Sequence, residues 1–150
     1  MTLRNILLFL HIVGAGTWLG ANFVQMAVAQ VGRSEGSAFS AGWMRVAAKL
    51  GGRLYMPAGI VLLASGIWLV LEGPWGFEDL FVGIGVVVVI IGAILGPVVF
   101  TPTGFKAAEA IEKGDEAGVR AAVGRITGFA TLDTLLVLFA VFAMVSKLGT

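Results

Sequence analysis

"VGIGVVVVIIGAILGPVVF", Val82 to Phe100, admits two readings. Four successive valines followed by two isoleucines would form a buried strand in water. In hydrocarbon, every backbone N–H and C=O must be paired inside the protein, so only helices and closed barrels span a bilayer. The surrounding solvent therefore decides the fold.

The rest of the chain identifies that solvent. Its 150 residues are 58% hydrophobic and 13% charged, with a mean hydropathy of +0.97. Soluble domains carry about a quarter charged residues. A domain of this size has too little interior to hide so much apolar surface from water. Four segments have the roughly 20 apolar residues that a span requires: 3–29, 54–71, 79–100 and 127–147. Transmembrane barrels need at least about eight strands, so the Val-rich segment is read as a helix. The expected fold is all-α: a polytopic four-transmembrane-helix bundle, with residues 1–150 as a single integral membrane domain. The N-terminal apolar run is longer than a signal-peptide core and lacks a clear small-residue cleavage site, so it reads as a retained span.

Charge orients the bundle. The link 30–53 holds Arg33, Arg45, Lys49 and Arg53, and the link 101–126 holds Lys106, Lys113, Arg120 and Arg125. The short link 72–78, "EGPWGFE", has no basic residue, and each terminus has one, Arg4 and Lys147. The excess of basic residues on the two long links makes their side cytoplasmic, with both termini outside (N-out/C-out) in a bacterial inner membrane. A fusion reporter at Gly114 is expected to read cytoplasmic; a periplasmic signal would invert the arrangement. Trp68 and Trp75 are expected at the outer interface. The segment 32–42, "GRSEGSAFSAG", reads as a loop, and 105–124 as a helical extension interrupted near Gly114.

Several function classes are excluded. The net charge of +1 and the lack of a basic patch interleaved with aromatics argue against nucleic acid. The absence of cysteine removes disulfides, thiolate catalysis and iron–sulfur clusters. No Ser–His–Asp grouping, phosphate loop or paired-histidine motif is present, so no enzymatic activity is assigned.

What chemistry there is sits inside the spans. At about 100° per residue, with His11 at zero, Trp18, Asn22 and Gln25 fall within roughly 40° of it. His11 is the single histidine. Gly16 and Gly20 form a G-x-x-x-G on the opposite face, where another backbone can approach. Polar groups in a membrane are costly unless paired. The stripe therefore faces protein or a cofactor: it either hydrogen-bonds across helices, or it lines a site in which His11 ligates haem or a metal. Asp133, in "TLDTLLVLF", is the second anomaly. An ion pair with Arg53 or Arg125 would offset its burial, and a proton-relay or substrate role is the alternative. Met56, beside Pro57, is a candidate soft metal ligand or a packing residue. Gly92 and Gly96 form a second G-x-x-x-G, followed by Pro97.

"LLFLHIVGAGTWLGANF", "RLYMPAGIVLLASGIWLVLEGPWGFEDLFVGIG" and "TLDTLLVLFAVFAMVSK" together resemble the bacterial family of predicted integral membrane proteins, domain of unknown function 2269. The resemblance covers nearly the whole chain, and its "LEGPWGF" link and "LD" pair are its most specific parts. More distantly, Leu10–His11 to Trp18–Gly20 is similar to the first span of the copper-resistance protein D family and of the membrane protoporphyrinogen oxidase that works with haem b. The latter resemblance implies a haem association for His11. A bis-histidine haem within one chain is excluded because the partner histidines are missing. A His/Met, five-coordinate or dimer-shared haem b is left. Three functions are thus carried forward: a haem- or porphyrin-binding redox protein with His11 as axial ligand and Trp18, Asn22 and Gln25 lining the site; a non-catalytic accessory or scaffold subunit of a larger membrane complex or homo-oligomer; and a copper-handling membrane protein using His11 with Met26, Met44 or Met56. In each case the lipid bilayer is the principal partner.

Overall fold

The computed structural model describes residues 2–149. Four long helices carry the chain: α1 (Leu3–Val31), α2 (Ser37–Leu71), α3 (Leu80–Lys113) and α4 (Glu116–Ser146). Each is long and apolar enough to cross a membrane, and no strand occurs among the described residues. The Val-rich stretch is helical, as the bilayer argument requires. Helix ends follow local chemistry. The Thr2 hydroxyl accepts from the Asn5 N–H to cap α1. Gly114, at φ 67°, ends α3 in the left-handed conformation, and the Asp115 carboxylate caps α4 through the Gly118 N–H.

Two of the expected boundaries move. The loop read over 32–42 shrinks to a turn before Ser37, and the first 17 residues of α2 (37–53) lie ahead of the predicted span. The third span likewise runs on to Lys113. The reason lies in two wide π-helical turns, Gly51–Tyr55 in α2 and Gly96–Phe100 in α3. The Met56 N–H reaches Gly51 O, and the Thr101 N–H reaches Gly96 O. A proline follows each turn, Pro57 and Pro102. Proline lacks an N–H, and its ring clashes with the carbonyl four residues earlier. Those carbonyls, on Arg53 and Val98, belong to the wide turns, which displace them while the helix continues.

The chain places all four span ends near Leu3, Leu71, Leu80 and Ser146 at one end, the terminal end. The two extensions, Ser37–Leu50 and Thr101–Lys113, pair with each other at the opposite, basic end. There Thr101 Oγ1 donates to Ala48 O over 3.2 Å, and Arg45 meets Glu112 at 2.7 Å.

Packing has a membrane character. The residues with no exposure at all are alanines: Ala107, Ala108 and Ala143. Small side chains let helices approach where lipid provides no hydrophobic drive. Large apolar side chains such as Phe9, Ile60, Phe142 and Val145 point outward to the lipid. The central cluster is Trp18, Leu62, Val88, Val137 and Ala140. At the terminal end Trp75 stacks edge-on against Phe81, with Lys147 Nζ 4.3 Å above its ring and Arg4 5.4 Å away. The two cations over the Trp75 ring form a cation–π cluster at the terminal end of the bundle. Trp68 is half exposed on the outer surface.

Candidate functional site

The antiparallel pairing of α1 with α2 sets the site's register. His11 lies against Gly66, Trp18 against Gly59, and Asn22 against Tyr55. The polar stripe of α1 does face inward, but its members separate into two layers.

The deeper layer is built around Asp133. Its Oδ2 accepts from Trp18 Nε1 at 3.1 Å and from Asn22 Nδ2 at 2.9 Å. Asn22 Nδ2 also donates to Thr134 Oγ1 at 3.1 Å. Asn22 Oδ1 accepts from the Tyr55 hydroxyl at 2.7 Å, and Gln25 Nε2 donates to Tyr55 at 2.6 Å. The run Gln25 to Tyr55 to Asn22 leads donor by donor to the Asp133 carboxyl, while Thr134 passes its own proton to Ala130 O. Trp18, Asn22, Asp133 and Thr134 are all buried. Gly92 of α3 completes the layer, because its bare backbone lets the Cζ2–Cη2 edge of the Trp18 indole approach α3 closely.

Neither arginine expected beside Asp133 is there. The ion pairs among the described residues are Arg45–Glu112, Lys113–Glu109 and Arg120–Glu116, all at the basic end. Arg125 is eight residues before Asp133 on the same helix, about 12 Å along the axis, and only neighbours three or four apart meet on a helix. Arg53 precedes Tyr55 by two residues, which turns its side chain away from the face that Tyr55 presents. Asp133 is instead held by neutral N–H donors. The hydrogen-bond chain from Tyr55 to Asp133 is also interrupted as a path for proton hopping. Between Tyr55 and Asp133 stands the Asn22 amide, whose acceptor oxygen and donor nitrogen are different atoms.

The second layer surrounds His11, nearer the terminal end. Along α4 the inward line runs Asp133, Val137, Ala140, Met144, so eleven residues, about 16 Å, separate the two layers. Val137 and Ala140, with Leu62 and Val88, make the space between them apolar. His11 Nδ1 is 3.1 Å from Leu62 O and 3.2 Å from Ser65 Oγ. His11 Nε2 is 3.4 Å from Met144 Sδ. Ser65 Oγ lies 2.5 Å from Val61 O, its shortest contact, so the hydroxyl proton is directed there. Both groups facing Nδ1 are then acceptors, which places the ring proton on Nδ1. Nε2 is left with its lone pair toward a thioether sulfur, itself an acceptor.

Two sequence expectations are corrected here. Met56 is 61% exposed on the outer surface of α2, because it stands two residues, about 200°, from Ala58 on the inward line Ala58, Leu62, Ser65, and Met144 supplies the sulfur instead. Met26 stands fifteen residues further along α1, about 22 Å from His11. The His11–Met144 pair also does not fit the in-line axial ligation of a His/Met haem. An iron between Nε2 and Sδ needs the two atoms roughly 4.3 Å apart at ordinary metal distances, and they are 3.4 Å apart. Gly66 closes on the imidazole edge, where a Cβ would sit 3.0 Å from His11 Cε1. Trp18, Asn22 and Gln25 are committed to the Asp133 layer rather than to a pocket beside His11. Sequence reasoning missed Tyr55, Ser65, Thr134 and Met144. Depth was the available signal: each stands at the same level in its span as the α1 residue it meets.

Four inward-packed apolar helices with buried hydrogen-bonded layers define a polytopic helical membrane protein. The family model described as "Predicted integral membrane protein (DUF2269)" matches residues 5–148, and the chain belongs to that family. No curated protein and no solved structure matches the chain.

Proposed function

We propose that the protein binds one soft monovalent cation, copper(I), between His11 and Met144, within the half of the bilayer nearer the termini. The carrying observation is the 3.4 Å contact between two lone-pair donors, His11 Nε2 and Met144 Sδ. Two acceptors face each other stably only with a proton or a Lewis acid between them. Imidazole with a thioether is a ligand set that suits copper(I). The outer contacts support the assignment: a metal-binding histidine usually donates its other N–H to a carbonyl or similar acceptor, as His11 does to Leu62 O. At roughly 2.0 Å from nitrogen and 2.3 Å from sulfur, the observed separation gives an angle at the metal of about 100°. Coordination positions are left open, which suits a site that takes up and passes on an ion more than one that stores it. With the basic links cytoplasmic, the site lies in the outer half of a bacterial inner membrane.

Anaerobic copper(I) titration of the detergent-purified protein against a chromophoric chelator tests this reading. One equivalent is expected to bind, with binding abolished in His11→Ala and Met144→Leu. Ser65→Ala is expected to weaken affinity about ten-fold by loosening the imidazole. Unchanged affinity in Met144→Leu would overturn the assignment. A Soret band that depends on His11 would restore haem in its place.

A second reading, as an accessory or scaffold subunit in a homo-oligomer or larger membrane complex, is favoured by a different feature. A Cβ at Gly16 or Gly20 would meet nothing within 4 Å. This outward G-x-x-x-G is open to a further helix.

A further inference from the structure

A second surface feature lies apart from both layers. Between α1 and α2 runs a groove of about 200 Å³ facing the lipid, lined by Val13, Gly14, Leu54, Pro57 and Val61, with Arg53 at its basic end. Its walls are small because Gly14 meets Ala58 and Leu62, where the two helices touch most closely. From Arg53 to Val61 is eight residues, roughly 12 Å, close to the depth of one leaflet's hydrocarbon.

In a bilayer such a groove is filled by an acyl chain. What selects the lipid is the group at the mouth. Arg53 is exposed and has no ion pair or hydrogen bond among the described residues. It sits in the wide turn Gly51–Tyr55, and Lys49 adds a second positive charge one turn earlier. A guanidinium presents a planar fork of donors that matches phosphate oxygens.

We propose that this groove holds one anionic phospholipid, its acyl chain along Val13, Pro57 and Val61 and its headgroup phosphate on Arg53. The lipid belongs to the leaflet on the side of the basic links. Copper plays no part in this assignment.

The test is native mass spectrometry of the intact protein released from mixed micelles holding equal phosphatidylglycerol and phosphatidylcholine. The wild type is expected to retain one phosphatidylglycerol in about five-fold excess over phosphatidylcholine, the preference that one surface arginine supplies. Arg53→Gln is expected to bring the ratio near one, while Arg33→Gln, in the turn after α1, leaves it unchanged. Val61→Trp, which fills the groove, is expected to lower retention of both lipids. A preference that survives Arg53→Gln overturns the proposal. So does a shift from dimer to monomer in Val61→Trp, which would make a second copy of the chain the occupant.

Discussion

Asp133→Ala is expected to lower the unfolding free energy of the bundle in mild detergent by about 2–4 kcal/mol, while Asp133→Asn costs less than about 1 kcal/mol. The alanine leaves Trp18 Nε1 without its acceptor and removes one of the two acceptors of Asn22 Nδ2. A buried donor left unpaired costs about 1–3 kcal/mol. The asparagine keeps an oxygen of the same reach and so keeps the acceptor. This ordering separates the observed layer from an arginine ion pair. In an ion pair, loss of charge is the damaging event, and Asp133→Asn would be nearly as harmful as Asp133→Ala. Arg53→Gln and Arg125→Gln are correspondingly expected to leave stability unchanged. Thermal or denaturant unfolding of the four variants side by side decides the matter; equal losses in Asn and Ala would reject the neutral-donor account.

Gly92→Val is expected to be at least as damaging, about 3–5 kcal/mol. A Cβ at this position would run into the Trp18 ring and come within 3.3 Å of Asp133 Oδ1. Inserting methylenes into a packed core ordinarily costs about 1–3 kcal/mol through strain. Here relief by moving the neighbour is blocked. The indole is tied to Asp133 through its N–H, packs edge-on to Tyr55 at 5.7 Å, and rests on Gly59. Shifting it breaks the buried hydrogen bond as well. Gly96→Ala, in the same G-x-x-x-G, is expected to be nearly neutral, because a Cβ there meets nothing within 4 Å. In a Trp18→Leu background the Gly92→Val penalty should shrink sharply, a coupling that a double-mutant cycle reads directly. Additive losses would show that Gly92 acts through something other than the indole.

These two sites mark how far the sequence could be read. Four spans followed from hydropathy and the physics of backbone pairing, and the inward stripe of α1 followed from helical periodicity alone. Periodicity fixes an angle around one helix, but it carries no register between helices. That is why His11 and Trp18 looked like members of one site when Leu62, Val88, Val137 and Ala140 pack between their layers. The same gap hid Met144, which is distant in sequence but level with His11 in the bundle, and offered Met56, which stands opposite the inward line Ala58, Leu62, Ser65. Asp133 was recognised as anomalous from its type and depth. Its partners were misjudged because charge suggested an arginine, whereas helix geometry placed an indole, an amide and a hydroxyl within reach. Gly92 and Gly96 read as one motif, yet only Gly92 meets a neighbour.

The paired wide turns, Gly51–Tyr55 and Gly96–Phe100, carry a consequence of another kind. Each is equivalent to one extra residue accommodated within a continuous helix. Deleting a single residue from either would restore regular winding with the flanking segments still in phase, whereas winding either turn regularly with all its residues kept would rotate everything beyond it by about 100°. Arg45 would then turn away from Glu112, and Thr101 from the Ala48 carbonyl. The phase between the membrane-embedded half of the molecule and its basic extensions is thus held by the two wide turns, which absorb one supernumerary residue each, so regular winding forced on either with no residue removed would re-aim an entire surface while leaving the spans themselves intact.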